Sequence, residues 1–573
     1  MSGEKVSRRR TLEIAAATVL GIIVGGVAGW FAKPREVMER LLTTTVTRTE
    51  TVGTASTVTT TVTSTVTKTV TAAPTAPPAT TTTVTTATTP TTLRPTKEEV
   101  LAWYAEKAKP WKGTTLKTVV EVNPPMEWNM NNAFAEFCEA CGIKVDIEKG
   151  THETVYQKEV LDMERGTGIY DFFFDDQDMA GTWAIRGWYV PLNEFMNDHP
   201  ELVEPWIDLD DIFTLPLVSD TAGNIIQFPN EGVPSFYMYR YDLFTDPKER
   251  SDFKSKYGRD LVPPMFDDEY EEIAEFFTRP DVPLYGHMTF YKYAHYVWHH
   301  FLAVDFGACS NGPLPWTRPV CPWGLGVKKV KIGDREVECA CLAPVEKGGM
   351  IDSPQMAEAF RKFHEYLKYA PPGALEMEWM AEGDAWDAGI LAQAWFEWPH
   401  LIPNHEDPSR SKIVGKWAVA PCPVSRKYHK PLMPKTYLDI EGFLLPYCSK
   451  QKEISYLLMQ YTISKPTDYR KLLDIGFCTR SSSINDPEVE KIYSEKSGGE
   501  PKTWLSYLHY WRNKEEMKYA IGTDPAIIDY PTICERVLPW CAKAFSGELS
   551  PEEAVKGMAE DLDKLFKELG YIE

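Results

Sequence analysis

Acidic and indole side chains placed just beyond apolar strands are where this chain has the means for chemistry. Tyr170-Asp171-Phe172-Phe173-Phe174 reads as a buried strand, and Asp176, Gln177 and Asp178 emerge at its C-terminal end. An Asp there can cap the next helix by accepting from its free N–H groups, or accept from the hydroxyls of a ligand. Trp398 ends the strand-like stretch Leu391 to Glu397 and is followed by Pro399, a natural strand stop. Trp128 lies in the loop after the first strand, Thr118 to Val122. Indole faces stack on flat C–H surfaces and short polar side chains pair with hydroxyls, which suits a hydroxyl-rich molecule such as a sugar. The same indoles would equally serve as core. Asp176 with Glu397 could instead be the acid and base of a glycoside hydrolase, which needs two carboxylates about 5 to 9.5 Å apart.

Other chemistries find less support. Cys138-Glu-Ala-Cys141 has C-x-x-C spacing but sits in a helical pattern with no second ligand pair close by. His295 and His299 fall four apart on the helical stretch Tyr291 to Leu302 without forming H-E-x-x-H. Neither metal nor cofactor is expected. The chain has no G-x-S-x-G for a serine nucleophile and no Walker motif for ATP. Its net charge of -21 argues against nucleic acid, which asks for a basic face. The 11 cysteines are an odd number, and Cys309 with Cys321, flanking a Gly/Pro-rich loop, make the best loop-closing disulfide.

Three segments must position these residues. Over residues 1–40, Arg8, Arg9 and Arg10 precede an uncharged apolar run from Ile14 to Phe31. That run would span about 27 Å as a helix, close to a hydrocarbon core, and the arginines would stay inside. A single-pass anchor with the remainder extracellular is expected; a cleaved export signal is the alternative. Residues 41–97 are mostly Thr and Val with scattered Pro, too poor in large apolar groups to offset ordering entropy, and read as a disordered stalk. From residue 98 onward, short β-branched strands alternate with amphipathic helices, which implies βαβ units and a parallel sheet.

Within that last segment, five passages occur in a telling order. They are Tyr170 to Leu192, Phe228 to Phe244, Leu391 to Pro399, Gly442 to Glu453 and Gly547 to Ala554. Together they resemble the family 1 extracellular solute-binding proteins of ABC transporters, the relatives of maltose-binding protein, here in an archaeal-type anchored form. The stretch Cys309 to Gly349 has no counterpart, and Asp439-Ile440-Glu441 replaces a commonly Gly-rich crossover.

The resemblance implies an α/β, type II two-lobe fold with three crossovers, hinged near Asn230, Leu438 and Asp529. Lobe 1 would comprise 98–230 and 438–525; lobe 2 would comprise 231–437 and 526–573. The function implied is delivery of a carbohydrate, an oligosaccharide or disaccharide, to a membrane permease driven by a separate ATPase chain, by a monomer that is not an enzyme. Polyol, peptide or another solute are alternatives. Asp178 matches a sugar-hydroxyl carboxylate of the family, and Trp398 its stacking platform. Glu231 falls in the first hinge, Tyr239 in the strand beyond it, and Glu397, Asp439 and Glu441 are further candidates beside Trp128, Asp176 and Gln177.

Overall fold

The structure, a computed structural model, describes residues 94–219, 223–293, 351–428, 436–512 and 530–568, with the strands 47–51, 57–61, 329–332, 335–338 and 520–521. The expected anchor, the Cys309–Cys321 loop and the histidines 295 to 300 lie outside them. Among the described residues no helix is long and apolar enough to cross a membrane.

Up to Thr91 the chain forms a unit of its own. In the segment expected to be disordered, β1 (Thr47–Thr51) pairs antiparallel with β2 (Thr57–Thr61). Their threonines, branched at Cβ, favour the extended backbone.

The second unit begins with α1 (Lys97–Lys107), capped by a reciprocal Thr96–Glu99 box. There follow β3 (Thr115–Glu121), the helices α2 (Pro124–Asn129) and α3 (Ala135–Cys141), and β4 (Lys144–Gly150). β3 and β4 pair in parallel over their whole length, from Thr115↔Lys144 to Glu121↔Gly150. This is the expected βαβ unit. Gly142, at φ 68°, ends α3 in the left-handed conformation that lets the chain turn into β4. Cys138 and Cys141 on α3 are free thiols, both pushed up by burial, to about 11 and 12.

After α4 (His152–Arg165), β5 (Phe173–Asp176) leads into α5 (Gln177–Arg186). The segment before β5 joins β3 through Asp171, whose N–H donates to the Lys117 carbonyl at 2.8 Å. Phe172 and Phe174 point into one core, with Val120 and Phe443, while Phe173 and Val119 point into another. Burial on both faces explains why this strand reads as a continuous apolar run.

Two strands then exchange sheets. β6 (Gln227–Pro229) is separated from β7 (Val233–Arg240) only by Asn230, Glu231 and Gly232. Further on come α6 (Asp267–Phe277), the pair β8 (Lys329–Ile332) and β9 (Arg335–Glu338), α7 (Pro354–Tyr366), α8 (Trp379–Asp387), β10 (Gln393–Glu397) and β11 (Trp417–Ala420). β12 (Thr436–Asp439) is separated from β13 (Glu441–Leu444) only by Ile440. β13 lies between β5 and β6 in one antiparallel sheet. β7 carries β10, β11 and β12 in the other. The chain thus crosses between sheets at 230–232 and returns at Ile440. The two crossings are tied together, the Asn230 N–H donating to the Glu441 carbonyl at 2.8 Å. At Gly442 a Cβ would lie 2.6 Å from the Phe228 carbonyl, so the strands can approach this closely only without a side chain.

α9 (Lys452–Thr462) and α10 (Lys465–Ile475) are followed by α11 (Thr503–Arg512), whose Ser506 hydroxyl accepts from the Val419 N–H of β11 at 3.1 Å. β14 (Ala520–Ile521) pairs with β12. The chain is therefore back against the second sheet by Thr503, because α11 covers β11. The third expected hinge, near Asp529, lies outside the described residues. α12 (Tyr530–Ser546) and α13 (Pro551–Glu568) close the fold over α7, with Phe545 edge-on to Phe360 at 5.2 Å.

Candidate functional site

The ends of β3 and β5 and both crossings meet at one place, and each brings a carboxylate. Asp176 ends β5 and stands opposite Glu441 in the antiparallel register, which puts the two side chains on the same face of the sheet. Asp175, one residue earlier, points the other way and accepts from the Trp183 indole N–H at 2.5 Å. That fixes Trp183, fully buried, as core. Glu121 ends β3, and its Oε2 lies 3.1 Å from Nδ1 of His152 at the start of α4. Burial works against charge on that imidazole, but the bond and charge of Glu121, with Asp176 and Asp175 beyond, raise it to about 10.

Deeper in, the crossings contribute Glu231 and Glu441. Nε2 of His400 lies 2.9 Å from Glu231 Oε1 and 3.9 Å from Glu441 Oε1. Asn123 caps α2 by accepting from the Met126 N–H and, through Nδ2, donates to Glu441 Oε2 at 2.7 Å. Lys471, buried in α10, donates to the carbonyl of Asn230 and at 2.8 Å to its side-chain oxygen. Burial raises Glu231 to about 7, held from rising further by Glu441 and Lys471. Burial and then the charge of Glu231 push Glu441 well above the carboxylate range. Burial also lowers His400. A concentration of carboxylates partly withdrawn from water can accept from a ligand's hydroxyls or hold a cation.

Trp398 sits two residues before His400, half-buried at the end of β10, its ring edge-on to Phe290 at 5.7 Å and 5.8 Å from His400.

Solved structures share this arrangement of sheets. One is an ABC transporter solute-binding protein from Agrobacterium radiobacter K84 in complex with ribitol, at 20% identity and TM-score 0.61 over 79% of this chain and 99% of that one. A solute-binding protein from Thermotoga lettingae TMO, bound with alpha-D-tagatose, matches at 21% identity and TM-score 0.58, over 79% and 100%. Maltose-bound MalE3 of T. maritima matches at 16% and 0.58, over 79% and 100%. The fold is that of a solute-binding protein of the maltose-binding type. No family model matches the sequence, and no curated protein is significantly similar to it.

In this solute-binding fold the remaining sequence candidates take varied places. Trp128 is engaged in the first half: its N–H donates to Asp474 at 2.9 Å and Arg470 lies over its ring at 5.0 Å. Tyr239 is buried, stacked 5.7 Å from Tyr237 and packed on Phe244. Glu397 is turned inward, 3.5 Å from His405 Nε2. Gln177 and Asp178 open α5 and Asp439 ends β12 opposite Val233, but their side chains are outside those described. Asp176, Glu231 and Glu441 are brought together. Sequence reasoning missed their companions Glu121, Asn123, His152 and His400. Glu121 and Asn123 flank a strand end, a signal available in the sequence; His152 and His400 carry none beyond their proximity in space.

Proposed function

We propose that this chain is the extracellular, N-terminally anchored substrate-binding component of an ABC importer, and that it binds a carbohydrate where its sheets meet. One observation carries the reading: carboxylates from two strand ends and two crossings converge near a half-buried indole, Trp398, in a fold whose solved examples hold ribitol, tagatose and maltose. Asp176 accepts from sugar hydroxyls, Trp398 stacks on a C–H face, and Gln177 and Asp178 at the start of α5 supply further polar contacts. Asp439 contributes from the second crossing. The ligand leaves unchanged for a permease powered by a separate chain.

Hydrolysis is disfavoured by Glu397, which is 1% exposed and lies 3.5 Å from His405 Nε2. Calorimetry of the purified protein against polyols, monosaccharides, disaccharides and short peptides tests the reading. Saturable binding of one carbohydrate class without turnover is expected. Release of product from a glycoside, or a peptide as the only ligand, would overturn it.

A further inference from the structure

The three side chains that knot the crossings together have the chemistry of a metal site. Glu231, His400 and Glu441 place one donor atom each within 4.8 Å of one another. Glu231 and His400 are fully buried and the side chain of Glu441 is 14% exposed. Two of the three groups are carboxylates, which accept but do not donate, and they face each other. Glu231 Oε2 has no hydrogen-bond donor among the described residues. The ammonium that could have answered it, Lys471, is engaged on the carbonyl and side-chain oxygens of Asn230. Buried carboxylates left face to face require a proton or a cation between them.

We propose that Glu231, His400 and Glu441 bind a divalent first-row transition metal that clasps both crossings to the turn carrying Trp398. An imidazole nitrogen with two carboxylate oxygens is a donor set for zinc, cobalt or manganese; calcium and magnesium take oxygen alone. Ligands about 2.0 to 2.2 Å from a tetrahedral ion stand roughly 3.3 Å apart, and the separations of 2.9 and 3.9 Å from His400 Nε2 bracket that value. Asn123, donating to the far oxygen of Glu441, is the outer-shell partner that orients a ligating carboxylate. With three protein ligands, a fourth position stays open on the side of Glu441, the one member with some exposure. The sequence offers no contiguous metal motif here because the ligands come from three distant segments, around residues 231, 400 and 441.

The test uses the full chain, stripped with a chelator and titrated with Zn²⁺ and then Co²⁺. One equivalent should bind, Co²⁺ should give visible absorption of a low-coordinate site, and melting should shift upward. Glu231→Gln and Glu441→Gln, near-isosteric and checked for an unchanged circular dichroism spectrum, should each weaken binding at least tenfold. Failure of the wild-type chain to bind either ion at millimolar concentration would mean a shared proton only and would overturn the proposal. Unchanged affinity in both variants would do the same by placing the metal elsewhere, on the cysteines for instance. Carbohydrate binding measured in parallel separates the two readings: it can survive the loss of metal binding, and its absence leaves the metal result standing.

Discussion

Two histidines five residues apart, His400 and His405, are both wholly buried beside carboxylates, yet they end in opposite states. His405 lies 2.7 Å from Asp387 through Nδ1 and 3.5 Å from Glu397 through Nε2. Burial opposes its charge, but both carboxylates hold it protonated, raised to about 9. Arg410 closes the group on Asp387 at 2.7 Å. His400 has Glu231 at hydrogen-bonding distance and Glu441 a further ångström away, and burial lowers it. The first cluster sets an imidazolium and a guanidinium against carboxylates inside the second core, with hydrogen bonds on Asp387 and an ion pair to Glu397. The second sets acceptor against acceptor at the crossings. Similar residue types therefore yield a charge-matched cluster in one place and an acceptor-rich one in the other, and the difference lies in which groups face which.

That contrast can be broken most forcefully at His405. His405→Gln leaves Asp387 and Glu397 buried with no imidazolium between them, and should cost about 3 to 5 kcal/mol in chemical denaturation. His400→Gln should cost only about 1 to 2 kcal/mol, since the adjoining carboxyls can take up protons. Equal costs would abolish the distinction.

Next in size is Trp398→Ala. It should weaken carbohydrate binding about tenfold to a hundredfold in calorimetry, with melting nearly unchanged because the ring is half-exposed. Unchanged affinity would remove Trp398 from the site.

The two clusters should also separate along the pH axis. His405 is raised from 6.5 to about 9 in the folded state, so its contribution is complete below pH 6.5 and is lost as pH rises through 9. Glu231 is raised from 4.5 to about 7, so the folded chain holds a proton the unfolded chain has released, and stability falls as pH rises between those values. Denaturation midpoints of the metal-free protein across pH 4 to 10 should show both declines. His405→Gln should shrink the upper one and Glu231→Gln the lower, while His152, raised to about 10, and Glu204, raised by burial to about 7, supply what remains. A flat profile in the wild-type protein would count against both assignments.

The smallest effect is expected at Glu382, buried next to Glu397 and pushed well above the carboxylate range by burial and then by that neighbour's charge. Already neutral, it should tolerate Glu382→Gln within about 1 kcal/mol. A cost comparable to that of His405→Gln would mean Glu382 is ionised in that cluster.

Much of the fold was legible along the chain because it rests on local periodicity. The continuous apolar run at Phe172 to Phe174 announced a buried strand. Helix ends at Gly142 and Gly166 follow from residues that accept left-handed backbone. The site was legible in part. Asp176, Glu231 and Glu441 could be named from their places after strands and in the crossings, whereas Glu397 occupies an equivalent place and turns inward. Position after a strand fixes where a side chain emerges; its direction depends on what waits on either face.

What the sequence determined by itself is the alternation of strands and helices and the acidic character of the chain, both properties of neighbouring residues. Only the tertiary structure decided that residues 231, 400 and 441 share one buried point, and that Trp128 and Tyr239 are engaged in packing. Contacts between residues so far apart are set by the closing of sheets on one another, a matter of geometry and dehydration that no local pattern encodes.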